Sequence, residues 1–204
     1  MSEMLEAALR YAELGYRVFP CASGTKKPLT DNGFHDASTD PGQIERWWTE
    51  RPNANIAIAT AGLLVVDVEA EATWLTDDFD KQVELCVGAM SLTASGGRHY
   101  IFRQPDGRNW RNTTSALAEY VDTRADGGYI VVPPSVLAGD KAYGWAPGCE
   151  LDVAPASLPE PPEWLTVELD RLAAGGHTSA RVATGGDAAN EIPSGQRNAT
   201  LARL

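Results

Sequence analysis

Two acids interrupt an apolar run, Leu63-Leu64-Val65-Val66-Asp67-Val68-Glu69. Its length and β-branched content predict a buried strand. Side chains alternate across a strand, so Asp67 and Glu69 share one face while Val66 and Val68 take the other. Two carboxylates in a buried strand are costly unless something positive neutralises them. A pair of divalent cations would do so, held about 3.5–4 Å apart to clamp the attacking and leaving oxygens of a phosphoryl transfer. Oxygen-only ligands suit magnesium or manganese better than zinc. Taken alone, Asp-x-Glu also fits a plainer arrangement, a strand end with one acid capping a helix that begins near Glu71.

A third acid lies further on. Val121-Asp122-Thr123-Arg124 can form a short strand with Asp122 and Arg124 on one face. Ala125-Asp126-Gly127-Gly128 reads as a turn, and residues 128–132 as the returning strand of a hairpin, halted by Pro133-Pro134. Asp122 could join Asp67 and Glu69 as a metal ligand. Arg124 could bind phosphate or simply pair with Asp122.

Groups for an anion stand between these acids. Ser95-Gly96-Gly97-Arg98-His99 precedes the strand-like Tyr100-Ile101-Phe102-Arg103. Glycines let backbone N–H groups approach an anion closely. His99 sits where the turn becomes a strand, within reach of a triphosphate. Lys26-Lys27-Pro28, in a loop of small residues, offers a phosphate or template contact, or an ordinary solvated loop.

The formal net charge is −11, against the basic balance usual for a nucleic-acid binder. Residues 98–124 run the other way, with five arginines against Asp106, Glu119 and Asp122. Tyr100, Phe102 and Trp110 lie among them, and aromatics between arginines suit base stacking. Trp110 and Arg111, with Asn112, are the expected DNA or nucleotide contacts outside the motifs, while Phe102 is expected in the core. Weak intrinsic DNA affinity follows from the overall charge. Cys21, Cys86 and Cys149 lack C-x-x-C spacing, so no zinc site is supported. They are expected as small core residues in a reducing cytoplasm.

The elements that must position these groups follow from pattern. A length of 204 residues with 43% hydrophobic content fits one globular domain, and no stretch is long enough to span a membrane. Helices are expected at 3–14, at about 41–50 behind an Asp40 cap and Pro41, at 70–85, and at 163–173, where Gly175-Gly176 would end the last. Strands are expected at 16–20, 55–60, 63–69, 88–94, 99–104, 119–124 and 128–132, the last four forming an antiparallel set. Residues 175–192 read as a flexible linker. Residues 193–204 open a new helix.

The order D-x-E, then S-G-G-x-H, then D-x-R-x-x-G-G-Y-x-V-x-P-P-S resembles the primase–polymerase (prim-pol) domain of the archaeo-eukaryotic primase superfamily, found in replication proteins of plasmids, phages and integrated elements. The likeness covers about residues 4–165 and includes Val18-Phe19-Pro20, the Lys-Pro loop, Trp47-Trp48 and residues 53–58. It implies an α+β fold of two modules, the second an RRM-like antiparallel sheet, with Asp67, Glu69, His99 and Asp122 converging in the cleft between them. It implies Asp67, Glu69 and Asp122 as catalytic ligands of two magnesium or manganese ions. It implies His99 on the phosphates of the incoming nucleotide, with Ser95, Gly97, Arg98 and Arg124 nearby. The implied reaction is template-directed addition of nucleoside triphosphates to a primer on DNA. Residues 193–204 resemble the opening of a following helical domain, with a helicase further on. De novo priming in the family often leans on that helical domain, so the catalytic domain by itself is expected to extend primers. A non-catalytic nucleotide- or DNA-binding module, and a metal-dependent phosphohydrolase or nuclease, stay open beside it.

Overall fold

The computed structural model describes residues 2–179, with side chains to residue 174. Helix α1 (Glu3–Glu13) starts where the Ser2 hydroxyl accepts a bond from the Leu5 N–H, with Glu3 and Glu6 in its first turn. One face, Ala7, Ala8, Tyr11 and Ala12, is buried. Gly15, at φ +100°, ends it. Helix α2 (Pro41–Glu50) is capped by Asp40, which accepts from the Gly42 N–H, and buries Ile44 and Trp48.

Two antiparallel sheets carry the rest. β1 (Val18–Cys21), β2 (Asn55–Ala59) and β8 (Tyr129–Val132) form the smaller, in the order β1-β2-β8. The larger has the order β11-β4-β5-β3-β7-β6. Its strands are β3 (Leu63–Val68), β4 (Ala89–Leu92), β5 (Arg98–Arg103), β6 (Thr113–Ala118), β7 (Val121–Arg124) and β11 (Gly144–Trp145). β9 (Val136–Leu137) and β10 (Lys141–Ala142) pair by themselves. Strand β3 shows the layering. Leu63 and Val65 join a core with α1, α2 and the small sheet. Leu64, Val66 and Val68 join a second core with Leu85 of α3 (Phe79–Leu85) and with Leu165 and Leu169 of α4 (Glu163–Ser179). The α+β class, the strand alternation and the burial of Phe102 agree with expectation. No helix among the described residues is long and apolar enough to cross a membrane.

Several expectations are corrected. Strands β7 and β8 are not a hairpin, because β7 pairs with β3 and β6 while β8 pairs with β2. The chain passes between the sheets twice at one place, and the two passages are bonded together. The Thr60 hydroxyl donates to the Ala125 carbonyl at 2.6 Å, the Thr60 N–H to the Gly128 carbonyl at 3.0 Å, and the Gly62 N–H to Asp126 at 2.9 Å. Thus β8 pairs with β2 as β7 pairs with β3. The helix expected over 70–85 is confined to α3. Thr76 bonds back to the Thr73 carbonyl and Asp78 caps the helix start, so local side-chain bonds hold turns ahead of it. Strand β6 went unforeseen because none of its residues is buried and it shows no buried alternation. Helix α4 continues through Gly175 and Gly176 to Ser179, so the start of the expected linker is helical. The rest of that linker and residues 193–204 lie outside the described residues. Cys21 is buried, but Cys86 is exposed.

Gly97 lets the turn before β5 press against the end of β3. A Cβ there would lie 2.3 Å from the Val68 carbonyl oxygen and 3.0 Å from the Glu69 Cα. Gly97→Ala is expected to destabilise the fold by about 1–3 kcal/mol, the usual cost of overpacking. The check is the midpoint of chemical denaturation, and an unchanged midpoint would show that no close approach is needed.

Candidate active site

Four polar residues form a row across four adjacent strands. Ser91 of β4 faces His99 of β5, His99 faces Asp67 of β3, and Asp67 faces Asp122 of β7. Residues opposed in this way project to the same side of the sheet, about 4.5–5.5 Å apart at Cα. Arg124 lies one step along the same face, opposite Val65.

Each side chain is held by its neighbours. The Ser91 hydroxyl, fully buried, lies 3.3 Å from His99 Nδ1, and His99 Nε2 lies 3.4 Å from Asp67 Oδ1. Arg124 Nη2 lies 3.9 Å from Asp67 Oδ2 and donates to Asp122 Oδ2 at 2.8 Å. The Ser115 N–H donates to Asp122 Oδ1 at 2.9 Å. The guanidinium therefore bridges two acids that would otherwise repel each other. Glu69 stands past the end of β3, where its Oε2 accepts from the Ser95 hydroxyl at 3.4 Å. Gly97 bonds to the Thr93 hydroxyl, which is 3.1 Å from that of Ser95.

The row opens into a cavity of about 320 Å³ between the two sheets. Asp67, His99 and Arg124 line it from the large sheet, Tyr129, Ile130 and Val131 from the small one, with Lys26, Phe34, Asn112 and Tyr143 completing the wall. Three cationic or imidazole groups thus surround one acid there, a balance that suits an anion. Phe34 and Tyr129 stack at 6.3 Å between ring centroids and supply an apolar side. Asn112 clamps the turn below them, accepting from the Ala125 N–H and donating to the Gly127 carbonyl.

Not every expected residue arrives here. Asp122 and Glu69 neighbour the cavity without lining it. Arg98 alternates to the face opposite His99, where its charge acts on Tyr100 and Cys86. Trp110 is not a surface contact. It is 3% exposed, and its indole N–H donates to Asp170 of α4 at 2.9 Å. Arg111 and Lys27 are exposed and lie outside the cavity wall. Sequence reasoning missed Ser91, Phe34 and Tyr143. Ser91 was within reach, because residues 91, 93 and 95 repeat a hydroxyl at strand spacing.

The acids offer only hard oxygen donors, which fits magnesium or manganese in kind. Asp67 and Asp122 are already neighbours, with a guanidinium where a cation would balance them. Glu69 is turned to Ser95. Among the described residues no three His, Cys, Asp or Glu side chains gather closely enough to hold a metal ion.

Burial acts most strongly on the Asp67 carboxyl and opposes its ionisation. The hydrogen bond and charge of His99, with the charges of Lys26 and Arg124, outweigh it and hold the carboxyl below its ordinary range. A folded value below the unfolded one gives stability that is present above about pH 4 and lost as pH falls through the folded value. Wild type is expected to lose stability more steeply than Asp67→Asn between about pH 5 and pH 2. Equal slopes in denaturation across that range would contradict it.

A family model for the N-terminal domain of bifunctional DNA primase/polymerase, Prim-Pol, matches residues 8–164. No curated protein matches the chain. The matched span contains both sheets, the whole row and every residue of the cavity wall. The chain belongs to the Prim-Pol family of bifunctional DNA primase/polymerase N-terminal domains.

Proposed function

We propose that this domain performs template-directed nucleotidyl transfer, extending a primer on DNA with nucleoside triphosphates during replication of a plasmid, phage or integrated element. The observation that carries this reading is the row itself, which puts two carboxylates and a histidine on one face, with Asp67 and His99, beside Arg124 and Lys26, at the wall of a cavity. Family membership supports DNA and nucleotides as substrates.

Asp67, Glu69 and Asp122 would hold two divalent cations, magnesium or manganese. Such ions, when bound, lower the pKa of the attacking 3′-hydroxyl and steady the leaving pyrophosphate. The chain's own groups then do the positioning. His99, held from behind by Ser91, would turn Nε2 from Asp67 to a phosphate oxygen once other positive charge reaches that acid. Lys26 and Arg124 offset the triphosphate charge. Arg124, which bridges Asp67 and Asp122, is free to turn to phosphate once other positive charge reaches those acids. Ser95 and Gly97 set the turn that places Glu69. Phe34 and Tyr129 give an apolar wall for the sugar or base and help exclude water. Lys27 and Arg111, exposed beyond the cavity, are suited to the DNA backbone. Catalysis of this kind is mainly positioning and electrostatics.

One observation favours a second reading, nucleotide binding without turnover. Both oxygens of Asp122 are engaged by Arg124 and Ser115. Primer extension separates the two. With a labelled primer–template and magnesium or manganese, wild type is expected to extend the primer. Asp67→Ala should reduce extension at least about a hundredfold, the scale of losing a principal electrostatic element. A folded wild type that binds nucleotide and adds none would favour the second reading.

A further inference from the structure

Tyr143, between β10 and β11, has no part in the motifs. The residue is 4% exposed and packs with Phe19, Cys21 and Val131. Its backbone N–H is fixed to the Ser135 carbonyl at 2.8 Å. Its ring centroid lies 6.1 Å from that of His99, and it forms part of the cavity wall.

Three tyrosines, Tyr100, Tyr120 and Tyr143, have no hydroxyl partner among the described residues, and of these only Tyr143 lines the cavity. Tyr11 donates to the Pro133 carbonyl, Tyr16 to the Val153 carbonyl and Tyr129 to the Lys26 carbonyl. Among the described residues the Tyr143 hydroxyl has no hydrogen-bond partner, and the one fully enclosed polar side-chain atom without a partner is Trp164 Nε1. The Tyr143 hydroxyl therefore opens to the cavity. A phenol is a donor at neutral pH, and burial followed by the nearby charges of Asp67 and Glu69 keeps it protonated. Tyrosines buried to this degree usually place the hydroxyl against a partner. Leaving it open is reasonable where a ligand supplies the acceptor.

We propose that the Tyr143 hydroxyl is a substrate contact, donating a hydrogen bond to a phosphate oxygen of a nucleoside triphosphate beside His99. This rests on the nucleotide reading of the cavity. Phosphate is favoured over sugar or base because the nearest ring in the wall is His99, and Lys26 and Arg124 share the cavity. The side chain is rigid, so its donor is pre-placed and little ordering entropy is lost on binding.

The test is calorimetric binding with magnesium present, using dGTP and inorganic tripolyphosphate as probes, on wild type and Tyr143→Phe. Phenylalanine keeps the packing and removes one oxygen, and an unchanged melting midpoint confirms that. Tyr143→Leu repeats the comparison should the first variant melt early. The expected result is about a 10–100-fold loss of affinity for both probes, the scale of a hydrogen bond to a charged group. Loss for dGTP alone would overturn the phosphate assignment and point to sugar or base. No loss for either probe would overturn the contact altogether. A wild type that binds neither probe would instead overturn the nucleotide reading of the cavity.

Discussion

Strand register is the constraint on which the site depends. Ser91, His99, Asp67 and Asp122 meet only because β4, β5, β3 and β7 are aligned with these residues opposite one another. A slip of one residue in any strand would send its side chain to the far face, into the core with Val66 and Tyr100. The alignment is protected on both sides. Leu63 and Val65 bury under the small sheet and α1, and Leu64, Val66 and Val68 bury under α3 and α4, so no alternative register keeps both cores. The bonded crossings at Thr60–Gly62 and Ala125–Gly128 fix how far apart the sheets stand, and thus where the cavity opens.

Burying a carboxylate at the middle of this sheet needs local positive charge. Asp67 is 8% exposed, and desolvation alone would favour its neutral form. His99, Arg124 and Lys26 keep it ionised. The same groups make the cavity attractive to an anion, so the features that keep Asp67 ionised also set the charge of the cavity wall. That local balance also reconciles an acidic chain with an anionic substrate. The net charge of −11 is spread over the whole sequence, whereas the cavity wall carries Lys26, His99 and Arg124 against Asp67.

Much of this was legible in the residues. The apolar run 63–68 fixed a strand, and its alternation put Asp67 on the face opposite Val66 and Val68. Asp122 and Arg124 paired at the expected i, i+2 spacing. What could not be read was pairing at long range. Gly127-Gly128 between two short strands has the local chemistry of a hairpin, yet the partners of β7 and β8 were decided by β3 and β2, far back in the chain. Trp110 misled for a related reason. Arginines around an aromatic suggest stacking on a base, but its fate was set by Asp170 of α4, sixty residues away. Tyr143 carries no local signal, because its importance lies in a hydroxyl left without a partner. That the carboxylates gather around metal ions is a separate matter, since Asp122 is engaged by Arg124 and Glu69 by Ser95.

The most direct test of the account is a crystal structure with manganese and a nucleoside triphosphate, located by anomalous scattering. Manganese is expected within about 2.0–2.6 Å of an Asp67 oxygen, the range for hard cations on carboxylates, with Asp122 or Glu69 sharing it and the triphosphate beside His99. Nucleotide bound in the cavity with manganese away from all three acids would contradict it.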